Sequence, residues 1–236
     1  MIAAIGALLL FATILVVLWR RLRVRQRESY IREFELPRGL FEKLRKHRPE
    51  LTMKECQLVA QSLRQFFLAY LKSGRKHVSM PSQVTDELWH EFILYTRAYQ
   101  AFCRTAFGGF FHHTPAIALG NNQNANSGLR RCFWHTCREE NINPRRPARL
   151  PLLFALDAKL NVPDGFRYVA DCSSIRRDRN NLNGTTYCGG DFGNASIDGS
   201  TDGFADTTSS AQANTDGFAD PGGDSSGCGG GGCGGD

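Results

Sequence analysis

Seven side chains able to hold a soft or borderline metal fall within the stretch from Trp89 to Cys137. They are His90, Cys103, His112, His113, Cys132, His135 and Cys137, with Asp86, Glu87 and Glu91 nearby. Zinc favours four N or S donors in a tetrahedron, so this density of imidazole and thiol is the clearest chemical signal in the chain. Helical geometry selects among the seven. Cys132 and His135 are three apart and share a face, whereas Cys137 turns toward the core. On one regular helix His90 and Cys103 would sit about 140° apart and could not aim at a single ion. The candidate metal set is therefore His90, His112, His113, Cys132 and His135. Zinc is the cofactor this set points to, with iron as the other metal it could take, and the sequence assigns no cofactor beyond that. The spacing matches no zinc-finger pattern.

Other readings of the same residues stay open. Cys103 lies on an apolar arc, where a thiol behaves as a small hydrophobe. His112 and His113 can close a turn before Pro115. His90 can pair with Asp86 or Glu87 as a surface ion pair of small energetic weight. A Trp-His pair on a helix, followed by a His-His loop, is also how an interhelical polar network is built. No catalytic residue is assigned. His90-Glu91 begins a His-Glu-x-x-His zinc-protease motif, but Leu94 stands where the second histidine belongs. A Cys-His nucleophile pair would lack an orienting third group and an oxyanion loop. Phosphate loops and dinucleotide fingerprints are absent from the sequence. Phe133 and Trp134 lie among Arg130, Arg131 and Arg138, which reads as an aromatic inner edge beside a solvated basic face.

Three longer helices must position these side chains. Thr52-Met-Lys-Glu55 is a capping box. It opens a run with Cys56, Val59, Leu63, Phe66, Phe67, Tyr70 and Leu71 at three-and-four spacing, and Gly74 stops it. A second helix is predicted over residues 82–107, with Leu88, Trp89, Phe92, Tyr99, Phe102 and Cys103 on one broad arc. The third runs from about Ser127 to Glu140, with Leu129, Cys132, Phe133 and Thr136 inside. Shorter helices are expected over residues 40–46 and 152–160. Residues 165–170 have strand character.

The first nineteen residues give an address. Ile2 to Leu18 is an apolar run broken only by Gly6 and Thr13, and Arg20, Arg21, Arg23, Arg25 and Arg27 follow it. About 18 helical residues rise about 27 Å, close to a hydrocarbon core of roughly 30 Å. The arginines hold their side in the cytoplasm and attract anionic lipid. The expectation is a single-pass protein of the bacterial inner membrane, with its N-terminus outside and its main domain cytoplasmic. A cleaved signal peptide would need its basic residues before the apolar run, not after it.

The formal charge of +6 and pI near 9.0 are unevenly laid out. From Gly189 onward there are eight Asp and no basic residue. The basic excess beside the apolar run is explained by lipid, and no motif argues for nucleic acid. Eight cysteines facing a reducing cytosol read as buried thiols or ligands, not disulfides. Fifteen of the 24 glycines lie between Gly189 and Gly235. Such a composition cannot repay the entropy of folding, so a disordered tail is expected. The tail repeats TDGFAD at Thr201–Asp206 and Thr215–Asp220 and ends Cys228-Gly-Gly-Gly-Gly-Cys233.

The block Trp89-His-Glu-Phe-Ile-Leu-Tyr-Thr-Arg-Ala-Tyr-Gln-Ala-Phe-Cys103, followed by Phe110-Phe-His-His-Thr-Pro115 and the Gly/Cys-rich end, resembles bacterial members of the glycine-rich domain-containing protein-like family. The resemblance covers about 50–115 plus the style of the tail. It implies a helical domain and a membrane-tethered layout but no particular reaction. Plant relatives with a glycine-rich region sometimes carry an RNA-recognition domain. This chain lacks the aromatic-basic strand motif of such a domain, so RNA binding does not transfer.

The fold expected is mostly α: an N-terminal single transmembrane helix (1–19), a basic juxtamembrane segment (20–35), a small helical-bundle domain (36–183) and a disordered Gly-rich C-terminal tail (184–236). The functional expectation is a membrane-anchored cytosolic module with an interaction or scaffold role toward a protein partner. The alternative is a zinc- or iron-binding protein or enzyme using the His/Cys cluster.

Overall fold

The computed structural model describes residues 2–113, 123–170 and 187–188. The protein is mostly helical, with seven helices among the described residues: α1 (Ile2–Glu33), α2 (Leu40–His47), α3 (Met53–Lys72), α4 (Gln83–Leu94), α5 (Thr96–Phe107), α6 (Gln123–Glu139) and α7 (Leu152–Lys159). Two short strands, β1 (Tyr168–Val169) and β2 (Tyr187–Cys188), pair in parallel with Tyr168 opposite Tyr187. The expected tail, its repeat and its terminal cysteines lie outside the described residues, apart from 187–188.

Two environments divide α1. Its first part is long and apolar enough to cross a membrane, and none of that stretch is buried against the rest of the chain. Leu8, Phe11 and Trp19 are all more than half exposed. The helix then continues without a break through the five arginines and enters the bundle, where Ile31 is fully buried. Phe34, just past its end, packs on Phe92 and Phe102 with ring centroids 5.7 and 4.6 Å apart. The packed domain therefore reaches back into α1, beyond the boundary at residue 36 suggested by composition. Polarity marks where the apolar run of α1 ends, not where the helix starts to pack.

The central helix is α3, which packs on α1, α4, α6 and α7. The Thr52–Glu55 capping box forms as expected: Glu55 N–H donates to Thr52 Oγ1, and the Glu55 carboxylate accepts from Thr52 N–H at 2.8 Å. These bonds hold the Glu55 carboxyl below its usual range. At the other end Gly74 takes φ +72°, as a helix stop requires. Ionic and polar ties join α6 to its neighbours. Glu139 accepts from Arg32 on α1 and from Lys72 on α3. Burial works against its charge, but these two cations prevail and keep the carboxyl below the ordinary range. Glu140 accepts from Gln65 on α3 and from the Leu152 N–H that opens α7.

The helix expected over residues 82–107 is in fact two, broken at Tyr95 (ψ 58°). The aromatic arc explains the break. Trp89 Nε1–H donates to Tyr99 Oη at 3.2 Å, and the Phe92 and Tyr99 rings meet edge-on at 5.2 Å. In one straight helix those pairs would be separated by about 15 and about 10 Å along the axis. Folding α5 back on α4 lets the arc pack against itself as well as against α3.

Candidate metal centre

The site is built around α4. Ser82 caps the helix, its Oγ accepting from Thr85 N–H. Asp157 on α7, 1 % exposed, accepts from Ser82 Oγ–H (2.7 Å), Gln83 N–H (2.7 Å), Val84 N–H (3.3 Å) and Phe166 N–H (2.9 Å). A buried carboxylate thus satisfies the free amide groups at the start of α4 and meets the positive end of its dipole. Gly165 makes room for it: a Cβ there would lie 2.5 Å from Asp157 Cβ.

With its start fixed, α4 displays three carboxylates. Two are engaged by α2 and its flank. Glu87 takes two hydrogen bonds from Arg48, which also binds Asp164. Those partners push the already high Arg48 pKa further up. Glu91 pairs with Lys43 (3.6 Å) and His47 (3.2 Å). The third, Asp86, faces the other way, and His90 follows it by four residues on the same face. His90 Nε2 lies 3.7 Å from Asp86 Oδ2.

His113 completes the group from the far side of α5. Gly108 ends α5 at φ +76°, and the chain turns back. Phe111 then locks the register: it stacks on Tyr70 at 3.8 Å and 9°, and its carbonyl accepts from Tyr99 Oη–H at 2.5 Å. Two residues later the His113 ring lies against Trp89 (4.6 Å, near edge-on) and 4.2 Å from His90. Its Nε2 is 2.9 Å from Asp86 Oδ1. Donor atoms of Asp86, His90 and His113 lie within 4.8 Å of one another. The side chains of Asp86 and His113 are mostly buried (18 and 12 % exposed), while His90 is half exposed, so the group opens to solvent on the His90 side.

Of the five residues in the predicted metal set, the structure brings His90 and His113 together and adds Asp86. His112 points outward beside Phe110, at a ring distance of 4.8 Å. Cys132 and His135 lie on α6, which packs on α3. Cys132 is fully buried, and burial, reinforced by Cys137, drives its thiol far above the ordinary range. Burial likewise pushes Cys137 up to about 12. His135 is drawn down to about 4, first by burial and then by Lys72, Arg138 and Arg131, and those three cations would oppose a metal dication as they oppose a proton. Cys56, Cys103, Cys132 and Cys137 are all buried and unbridged. The residue that sequence reasoning left out of the set is Asp86. Its signal in the sequence is the Asp-x-x-x-His spacing, which equally suits an ordinary surface ion pair.

No curated protein and no solved structure matches the chain. The UCP032817-like family matches residues 26–192, a span that starts after the apolar half of α1 and takes in the whole Asp86, His90 and His113 group. With most of its length inside that match, the chain belongs to the UCP032817-like family.

Proposed function

We propose that this is a single-pass membrane protein whose cytoplasmic helical domain holds a divalent zinc or iron ion between Asp86, His90 and His113. The supporting observation is the convergence of two imidazoles and one carboxylate within 4.8 Å, held by elements that fix each one. Two His and one carboxylate are a recurring ligand set for catalytic zinc and for non-haem iron, with coordination positions left for water or a small ligand. The half-exposed His90 marks the side from which such a ligand would enter. Asp86 would hold the ion through a carboxylate oxygen, and His90 and His113 each through a ring nitrogen; the ion would supply a Lewis acid to a small ligand bound beside them. Kinship with the glycine-rich domain-containing protein-like family belongs to the same proposal. Both resembling blocks contribute, one supplying His90 and the other His113.

The membrane part of the proposal rests on the exposed apolar half of α1 and the arginines that follow it. The positive-inside rule applied to those arginines supports a cytoplasmic domain with the N-terminus outside, as in a bacterial inner membrane.

The test is metal uptake by the purified full-length chain. Titration with zinc or cobalt(II), followed by elemental analysis, is expected to give about one ion per chain, consistent with one three-ligand site. Asp86→Asn, His90→Ala and His113→Ala should each lose it, while Cys132→Ser and His135→Gln retain it. Uptake that ignores the first three variants overturns the assignment. A full-length chain that takes up no metal leaves the scaffold role, toward a protein partner, as the working description.

A further inference from the structure

The direction of the helices gives the domain a membrane-facing end. α3 runs antiparallel to α1: Arg64 near its middle donates to the Phe34 carbonyl (2.9 Å), and Lys72 at its C-terminus sits 3.7 Å from Glu28. α5 does the same. Phe102 lies against Phe34 and Tyr30, whereas Gly108 lies against Arg27, whose Nη2 would be 2.6 Å from a Cβ added there. The C-terminal ends of α3 and α5 therefore both point back along α1 toward its apolar half. At this end Arg75 and Lys76 follow α3 and are exposed, and Arg104 is exposed in the last turn of α5. Arg75 also ties the two ends together by donating to the Phe107 carbonyl at 3.0 Å.

The charge here is mostly positive, because the acids beside Lys72, Glu28 and Glu139, are engaged by Lys72 and Arg32. No Asp or Glu occurs from Ser73 to Thr85 or from Phe92 to His113. The closest acid on α1, Glu28, is taken up by Lys72 and Arg32. Arg27 is eight residues beyond Trp19, about 12 Å along the helix. The headgroup layer extends roughly 5–7 Å beyond the hydrocarbon, and charges there are felt over about 8 Å at physiological salt. Arg27 is within that range, and Arg75, bonded to the Phe107 carbonyl next to Gly108, is level with it; Arg104 starts one helical turn further back, and its long side chain can reach toward the surface.

We propose that this end of the domain is a second membrane contact, with Arg27, Arg75, Lys76 and Arg104 resting on anionic phospholipid headgroups. It rests on the membrane-spanning reading of α1 and is independent of the metal site. The contact fixes the tilt of the domain and holds the α5-to-His113 turn close to the bilayer surface. Each cation raises the ratio of docked to undocked domain about fivefold.

The test uses the full-length chain reconstituted in vesicles of phosphatidylcholine, with or without phosphatidylglycerol, and amide hydrogen exchange of residues 73–77 and 104–109. The contact predicts slower exchange in the anionic vesicles. The difference should vanish in 1 M salt and in the Lys76→Gln, Arg104→Gln double variant, whose α3 core should exchange as before. Equal exchange in the two lipids, with the chain still floating with the vesicles, overturns the contact but not the span. A chain that does not float with either vesicle overturns both.

Discussion

Asp86 shows how little of a site a residue's identity discloses. Three carboxylates lie within six residues of α4, and what separates them is the cations opposite. Arg48 takes Glu87, Lys43 and His47 take Glu91, and Asp86 is left to the two imidazoles. The histidines sort the same way. His135 is held neutral at physiological pH, with a consequence for stability. Unfolded, its imidazole takes up a proton near pH 6.5, but folded only near 4. Between those values the unfolded state binds more protons, so stability falls as pH drops from about 6.5 toward 4 and is unaffected above that window. Chemical denaturation of His135→Gln across that range should show a flatter acid limb, by on the order of 1–2 kcal/mol after allowing for partial exposure. An unchanged limb would contradict the assignment. The buried thiols give a second check. Cys56, Cys103, Cys132 and Cys137 should resist a thiol reagent in the native protein and react once it is unfolded.

At the scale of elements, the start of α4 is the joint on which the site depends. Asp157→Ala removes an acceptor of four hydrogen bonds and leaves buried amide groups without a partner. A loss of about 3 kcal/mol is expected in urea unfolding, against about 1 for the exposed cap change Thr52→Ala. Equal losses in the two variants would mean that Asp157 is not the anchor described. None of this was legible in the chain, because Ser82 and Asp157 are 75 residues apart and nothing local marks the pair. Local signals were far more readable. The Thr52–Glu55 box and the Gly74 stop could be read directly, since both act within one turn. The break at Tyr95 could not: the apolar residues between 83 and 107 fall on one arc of a single continuous helix, and the break answers a tertiary demand, the meeting of Trp89 with Tyr99. Missing that break also hid the metal group, because His113 reaches His90 only after α5 has turned back beside α4.

For the whole molecule, the continuous α1 makes the apolar segment and the domain one mechanical unit. With the proposed span and metal site, a small ligand would meet the Asp86 group at a set height and tilt relative to the bilayer. Breaking that rigidity with Gly insertions between Arg23 and Arg27 should leave metal affinity unchanged while removing the lipid-dependent protection of residues 73–77, seen by hydrogen exchange. Altered metal affinity would show that the two are coupled. Whether Asp86, His90 and His113 hold a metal is decided by anomalous diffraction at the zinc edge from crystals of the zinc-loaded full-length chain. A single strong peak is expected, bonded to Asp86 and to ring nitrogens of His90 and His113 at about 2.0–2.2 Å. A peak on Cys132, His135 or His112, or no ordered peak in zinc-loaded crystals, would contradict it.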